Sequence, residues 1–431
     1  MLCAVVLAGC QTAGRRVDLG RAAYFAGDLE TARIEFAKVA ASKSPMAKPA
    51  KLDLAMVQMA RGDMRAAKDL LRQSRDEFDE TIKLSLVGDA ASFITDDRSR
   101  AFKPAGYEDV MVRSLLSMCS LACGDGDAES YAAQAQMRQS ELARQAEERG
   151  IASTKPIYQP LALAPYMRGV LREATHHDYD DALRSYQLVS HLQPTFAPAA
   201  VDIERCGGGV HSPPEHGVLY VFACIGRGPT LESVEAPTTT AALQIATQIY
   251  SLAENQRMML PNLAAVEVPS VHVPYSPAAS VSVDSSGVWL GATQPLVDVG
   301  QMAINQNEAE MPWTVARALV RRVTKEVTVS QATKAVGIDG LPGELVRFAT
   351  VNAWSATEKA DTRCWSLLAR EIHVLRAELP VGMHRIGFTV VDGRGQRLGM
   401  PTVREVEITN ATNSYVTIIA PDRTVLVAEE R

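Results

Sequence analysis

The stretch Leu19-Gly20-Arg21-Ala22-Ala23-Tyr24-Phe25-Ala26-Gly27-Asp28-Leu29-Glu30-Thr31-Ala32-Arg33-Ile34-Glu35-Phe36 decides how the first half of this chain folds. Leu19 and Gly20 permit close packing inside a first helix, Gly27-Asp28 turns the chain, and Ala32 and Phe36 share one face of a second helix at i, i+4. The same roles recur about 35 residues on, at Leu54-Ala55, Met59, Gly62-Asp63-Met64, Ala67 and Leu71. A third helical pair surrounds Gly124-Asp125-Gly126-Asp127. A fourth carries Asp178-Tyr179-Asp180-Asp181-Ala182-Leu183-Arg184-Ser185-Tyr186 and closes at Pro194. From Val17 to Arg205 the chain is rich in Ala, Leu, Met, Arg and Glu and poor in β-branched runs, which favours stacked helices.

This spacing resembles the tetratricopeptide repeat (TPR), whose period is ~34 residues. Paired helices of that kind cannot bury their apolar stripes alone, so neighbours stack and leave a concave groove that usually holds a peptide or protein. The competing reading is a solenoid that props up the other half of the chain. Asp96-Asp97-Arg98-Ser99-Arg100 and Lys103-Pro104-Ala105-Gly106-Tyr107 lengthen the spacing between the second and third pairs and read as a loop.

Composition breaks at Cys206-Gly207-Gly208-Gly209-Val210-His211-Ser212-Pro213-Pro214, the expected main boundary. Gly217-Val218-Leu219-Tyr220-Val221-Phe222-Ala223-Cys224-Ile225 then reads as a buried strand ending in a tight turn at Gly226-Arg227-Gly228-Pro229. Further strands are expected at Ala265 to Val273, Ala279 to Val283 and Val288 to Ala292. A helix through Trp313, Ala316, Leu319, Val320 and Val323 should cover the sheet, and a second helical stretch is expected near Gly343 to Trp354. Alternating apolar positions at Ile372, Val374, Ile386, Phe388, Val390, Val403, Val406, Ile408, Val416 and Ile418 predict a small antiparallel sandwich over the last ~70 residues. The fold class is therefore multidomain α + β: a tether over 1–16, a TPR-like α-solenoid over 17–205, a mixed α/β domain over 215–335, and a helix plus antiparallel β-sandwich over 336–431.

The chain has 431 residues, 47% hydrophobic and 22% charged, with 44 Lys and Arg against 50 Asp and Glu. That composition fits packed domains and lacks the basic excess of a nucleic-acid binder. Seven cysteines are too few for a disulfide scaffold and show no zinc spacing, so no metal or cofactor is expected. At the start, Leu2-Cys3-Ala4-Val5-Val6-Leu7-Ala8-Gly9-Cys10 is apolar and stops at a cysteine. Leu7-Ala8-Gly9-Cys10 resembles a bacterial lipobox, although no Lys or Arg precedes it. The resemblance implies lipidation of Cys10, and Gln11 in place of Asp implies the periplasmic face of the outer membrane. A buried N-terminal segment is the alternative. No other run reaches the ~18–20 apolar residues of a membrane span, so acyl chains would have to supply the anchor.

Several local patterns could carry chemistry. Gly226-Arg227-Gly228 follows a strand but lacks the third glycine opening a helix, and reads as a turn. Cys119 and Cys123 share a helix face among apolar neighbours, which fits core packing. His176-His177-Asp178 falls at an interhelical turn. His211 and His216 flank the linker with Glu215 between them, but a hydrolytic or metal role would need a third partner. Arg317, Arg321, Arg322 and Lys325 form a basic helix face, either solvated or facing an anionic surface. Asp361, Arg363 and Trp365 either pin two layers together by a charge-assisted bond or line a pocket.

The lipobox, Tyr107-Glu108-Asp109-Val110-Met111-Val112, His216-Gly217-Val218-Leu219-Tyr220-Val221 with Gly228-Pro229, and Asp361-Thr362-Arg363-Cys364-Trp365-Ser366-Leu367-Leu368 together resemble an uncharacterised group of bacterial tetratricopeptide lipoproteins. Members are sometimes encoded beside an LpoB-like activator of penicillin-binding proteins. Where Leu368-Ala369 stands here, that group carries Leu-Pro. The resemblance implies a cell-envelope lipoprotein and no catalytic residues. The expected function is non-enzymatic: a membrane-anchored chain whose TPR-like groove binds a protein partner in envelope assembly, surface-polymer synthesis or secretion. A periplasmic hydrolase or transferase with its site in the strand-rich half is the alternative. Oligomeric state is left open.

Overall fold

A computed structural model describes residues 2–88, 102–148, 161–254, 265–335 and 360–427. The first half is a run of helices: α1 (Leu2–Phe25), α2 (Leu29–Ala40), α3 (Ala47–Ala60), α4 (Met64–Gly88), α5 (Gly106–Ala122), α6 (Ala128–Glu148), α7 (Leu163–Glu173), α8 (Tyr179–Leu192) and α9 (Pro198–Gly207). Each packs on the next in the chain. The turns follow their glycines: Gly27 and Gly62 adopt φ of 83° and 85°, where a side chain is strained. Asp28 and Asp63 then accept the Thr31 and Ala66 amides at 3.0 Å and cap the helices that follow. Close packing is literal at Gly20, where an added Cβ would stand 2.9 Å from the Phe36 ring. Gly169 and Tyr186 repeat that device at 2.7 Å. Helix α5 is buried from Gly106 to Leu121, all round its circumference, which marks it as a core helix. It begins two residues after Pro104, so the loop expected over Lys103–Tyr107 ends at Ala105. The 96–100 stretch lies outside the described residues.

The second half contains β1 (His216–Arg227), β2 (Thr230–Ala236), α10 (Thr240–Glu254), β3 (Val266–His272), β4 (Ser280–Ser285), β5 (Val288–Ala292), β6 (Gln294–Asp298) and α11 (Val299–Ala335). It ends with β7 (Ala369–Pro380), β8 (Gly382–Val391), β9 (Arg397–Ile408), β10 (Asn413–Ala420) and β11 (Leu426–Val427). Among the described residues these strands make a five-stranded sheet ordered β11-β10-β1-β7-β6, a four-stranded sheet ordered β5-β4-β8-β9, and the β2-β3 pair. Strand β1 runs antiparallel to β7 and parallel to β10.

Strand β1 organises the molecule because both its faces are apolar. Val218, Tyr220, Phe222 and Cys224 join the core of the helical half. Leu219, Val221, Ala223 and Ile225 meet Val281, Val283, Ile386, Phe388 and Val390 of the four-stranded sheet. The result is three layers: helices, five-stranded sheet, four-stranded sheet.

This corrects two expectations. Residues 215–335 and 336–431 do not form separate domains, since β1 and β6 share a sheet with β7 and β10, and β4 and β5 share one with β8 and β9. The last ~70 residues are therefore no self-contained antiparallel sandwich: they need β1, β4, β5 and β6 to complete both layers, and one of their pairings is parallel. The expected helix through Trp313 is α11. Its Val315, Ala316, Leu319, Val320 and Val323 pack with Ala242 and Ala246 of α10 and with Val266 and Val268 of β3, forming a satellite core against the β2-β3 pair. The stretch near Gly343 to Trp354 lies outside the described residues.

Candidate functional site

The inward face of the helical layer is the first place to look for a ligand, and the chain's own sheet occupies it. Met111, Leu115, Met118 and Cys119 of α5 and Tyr166, Met167 and Val170 of α7 share one core with Tyr220, Phe222, Ile372, Val374 and Ile419. The Tyr166 and Phe222 rings meet edge to face at 6.5 Å between centroids. Cys119 is part of this packing and Cys123 is half-buried, both as free thiols.

Two polar clusters rivet the layers together. At the first, residues 361–367 cross the helical layer. Asp361 grips Arg363 through both oxygens at 2.8 and 2.5 Å, and Arg363 donates to the Pro45 carbonyl at 3.2 Å. Trp365 is fully buried, and its amide donates to Glu108 Oε1 at 2.6 Å. Glu108 Oε2 accepts the Ala105 amide at 2.8 Å, closing the start of α5. Asp53 of α3 accepts the Ser366 hydroxyl and the Leu367 amide, both at 2.8 Å. Burial pushes the Asp53 and Glu108 carboxyls up to about 7, against the hydrogen bonds they accept. Among the described residues the Trp365 indole N–H and the Tyr107 hydroxyl have no hydrogen-bond partner. The three sequence-nominated residues Asp361, Arg363 and Trp365 thus sit in one layer junction. Asp53 and Glu108, which reasoning from sequence passed over, supply the acceptors. A lone acid inside the apolar run Leu52-Asp53-Leu54-Ala55-Met56 was the available signal.

The second cluster lies under α7 to α9. Glu173 is fully buried and accepts Arg205 Nε and Nη2 at 2.6 and 2.8 Å and the Tyr186 hydroxyl at 2.8 Å. Arg376 of β7 approaches Glu173 at 3.6 Å and donates to the His211 carbonyl. Asp202 pairs with Arg205 at 2.7 Å, and burial raises its carboxyl. His211 bonds far along the chain, its Nε2 2.8 Å from Asn413 Oδ1 and its Nδ1 3.2 Å from Ser212 Oγ, while His216 turns its own Nδ1 to the Pro214 carbonyl. Burial lowers the His211 imidazole. His176, in a left-handed conformation with φ of 60°, packs its ring 4.7 Å from that of His211 and bonds the Ala411 carbonyl at 2.7 Å. Asn413 had no local signal, because only the β1–β10 pairing brings it there.

Gly228 abuts the chain at Leu368, whose carbonyl an added Cβ would overlap, and Gly226 has φ of 76°, so this pair is a turn packed on the junction segment. In the strand-rich half His373 Nε2 donates to Glu371 Oε2 at 2.8 Å, and its Nδ1 lies 3.3 Å from the Thr293 carbonyl. Burial raises the Glu371 carboxyl, but the His373 hydrogen bond and Arg370 outweigh it and leave Glu371 below its ordinary value. Both imidazole nitrogens are engaged, and the seam between the sheets is filled by apolar side chains. Arg317 is exposed and Arg321 and Arg322 are half-buried, with Arg322 donating to the Ala265 carbonyl at 2.9 Å. The side chains of Cys10 and Lys325 lie outside the described set. Among the described residues no group of three or more His, Cys, Asp or Glu could hold a metal ion, and no helix is long and apolar enough to cross a membrane.

The accessible apolar surface concentrates elsewhere. Ser285 pairs with both Val288 and Ile386, and Ser286 donates to the Arg385 carbonyl, so the β4–β5 hairpin and the start of β8 form one end of the sandwich. Val288, Trp289, Val381 and Met383 at that end are 68%, 66%, 50% and 63% exposed. No family model, curated protein or solved structure matches this chain.

Proposed function

We propose that this chain is a non-enzymatic, lipid-anchored protein of the cell envelope that binds a protein partner. In this reading the helical pairs are TPR-like, their inner face carries the sheet, and the partner docks on the sandwich end formed by Val288, Trp289, Val381 and Met383. Cys10 carries the lipid at the periplasmic face of the outer membrane. The observation behind the partner surface is the exposure of those four apolar side chains in one place, since a large exposed apolar patch on an otherwise well-packed protein favours a binding role. Trp289 in this patch is of the residue type that dominates binding energy at interfaces. No nucleic acid, metal or cofactor enters this reading.

The test is a photo-crosslinker at position 289 in envelope membranes. A discrete adduct that disappears with Met383→Asp supports the assignment; no adduct, or one unaffected by that change, defeats it. Mass analysis of the N-terminus checks a diacylglyceryl adduct on Cys10 separately. The hydrolase alternative has one observation in its favour, the Glu371–His373 pair. It requires a turnover that His373→Asn abolishes.

A further inference from the structure

The opposite end of the sandwich carries a different surface. Ala279 donates to the Val391 carbonyl and Arg397 pairs with Val391, which brings the segment before β4 beside the β8–β9 turn. Ser276 Oγ donates to the Pro421 carbonyl at 2.9 Å, Thr402 Oγ1 donates to the Val425 carbonyl at 3.1 Å, and an added Cβ on Gly399 would stand 2.9 Å from the Arg423 carbonyl. Three segments, 273–279, 392–400 and 421–425, therefore meet at one tip. Tyr275 and Met400 project from it at 85% and 87% exposure, above every other exposed large apolar side chain among the described residues.

The charges at this tip are one-sided. Arg394, Arg397 and Arg423 are exposed, and among the described residues no carboxylate pairs with them. Both acids of these segments are engaged internally. Asp392 accepts the Arg394 and Gln396 amides at 2.9 and 2.8 Å and so holds its own turn. Asp422 accepts from Arg227 Nε at 3.0 Å, and the Arg227 guanidinium lies 4.2 Å over the Phe25 ring. In a chain of net charge −6, this leaves a basic rim around a tyrosine and a methionine.

We propose that this tip docks on an anionic lipid surface. The arginines meet headgroup phosphates, while Tyr275 and Met400 enter the boundary between headgroups and acyl chains. Tyrosine favours that depth because its ring is apolar and its hydroxyl stays hydrated. Each basic residue near such a surface contributes about fivefold in binding, and the attraction is screened by salt. A protein partner would leave the arginines to be matched by carboxylates that a bilayer does not need, whereas headgroup phosphates complement all three at once. The inference goes beyond the lipid anchor and does not require it. Phe25, under the Arg227 guanidinium, ends the helix that contains Cys10, about 22 Å along it at helical rise.

The experiment uses the full chain made without lipid on Cys10, so that anchoring is judged separately. Binding is measured by co-sedimentation with phosphatidylcholine vesicles, with and without phosphatidylglycerol. Hydrogen exchange is read with the vesicles present. The expected result is binding only to the anionic vesicles, weakened by salt, with added protection confined to the three tip segments. Arg394→Gln, Arg397→Gln and Arg423→Gln together should weaken it on the order of 100-fold. Tyr275→Ser with Met400→Ser should weaken it at least tenfold. All five side chains are exposed, so the variants should keep their unfolding midpoints. No binding to anionic vesicles overturns the proposal, as does protection on α11 instead of the tip. Loss on removing the arginines without loss on removing Tyr275 and Met400 also overturns it, since that pattern is attraction to any polyanion.

Discussion

The Trp365 amide donates to the Glu108 carboxylate at 2.6 Å across 257 residues of sequence. This bond, with the two that Asp53 accepts from Ser366 and Leu367, ties the entry to β7 onto α3 and α5. Both acceptors are buried, so each donor loses its partner without gaining water if the carboxylate is removed. Glu108→Ala is expected to cost about 2–4 kcal/mol, and Asp53→Ala a similar amount. Glu108→Gln should cost less because the amide oxygen still accepts one N–H. Urea unfolding measures all three; equal midpoints for Glu108→Ala and the parent would show that the junction contributes nothing.

The same acids set a pH dependence opposed by His211. Asp53 and Glu108 titrate near 7 when folded, above their unfolded values. The native state therefore binds more protons between about pH 4 and 7, and their contribution, full below about 4, is lost as pH rises through 7. His211 is shifted down by burial, so its contribution is present above about pH 6.5 and lost as pH falls below that. Each group contributes a slope of up to about 1.4 kcal/mol per pH unit. Asp53→Asn with Glu108→Gln should make stability rise with pH between 5 and 7, and His211→Gln should make it fall. Identical slopes in both variants would refute the assignment.

Two glycines should reveal how tightly the helices pair. Gly20→Ala pushes a methyl into the Phe36 ring, and Gly169→Ala pushes one into Tyr186. Each should destabilise by about 1–3 kcal/mol. Phe36→Leu, costly alone, should recover part of the Gly20→Ala loss when combined with it. Gly228→Ala should be worse, because the obstacle there is the Leu368 backbone, which cannot rotate away. Thermal unfolding of the five variants ranks them, and a Gly228→Ala change as mild as Gly20→Ala would argue against that packing.

What could be read from the sequence was local. Gly27-Asp28 and Gly62-Asp63 mark turns because glycine tolerates their φ and aspartate caps the next helix. The run Gly217–Ile225 in β1 showed that both faces would be covered, and every residue of it is buried. It could not show by what, because apolar contacts carry no address. The pairing of Tyr220 with Arg376 on one side and Tyr415 on the other depends on registers fixed only when the sheet assembles. The inward helical face looked like a groove for the same reason: an apolar stripe that will meet a partner protein and one that will meet the chain's own sheet are written alike. Asp361-Thr362-Arg363-Cys364-Trp365 stood out correctly as unusual, while its acceptors on α3 and α5 stayed hidden in helical runs.

The Glu173 cluster should behave as a unit. Glu173 holds Arg205 through two hydrogen bonds and faces Arg376, while Asp202 also pairs with Arg205 and Glu378 pairs with Arg376. Removing Glu173 alone leaves Arg205 with Asp202 and Arg376 with the partly exposed Glu378, and takes away the buried carboxylate that both guanidiniums face. Glu173→Ala is expected to cost about 3–5 kcal/mol, and Arg205→Ala a comparable amount, because each strands its partner's charge. Glu173→Leu with Arg205→Met removes both charges and refills the volume, so the pair should cost clearly less than the sum of the two alanine variants. The cluster joins α7 and α9 to β7, so the single variants should also loosen the helical layer from the sheet. That predicts faster hydrogen exchange at Tyr166 to Val170 and at Val374 to Ala377, with the sandwich core around Phe388 unchanged. Additive costs in the double variant, or exchange rising equally at Phe388, would mean that the cluster does not hold this seam.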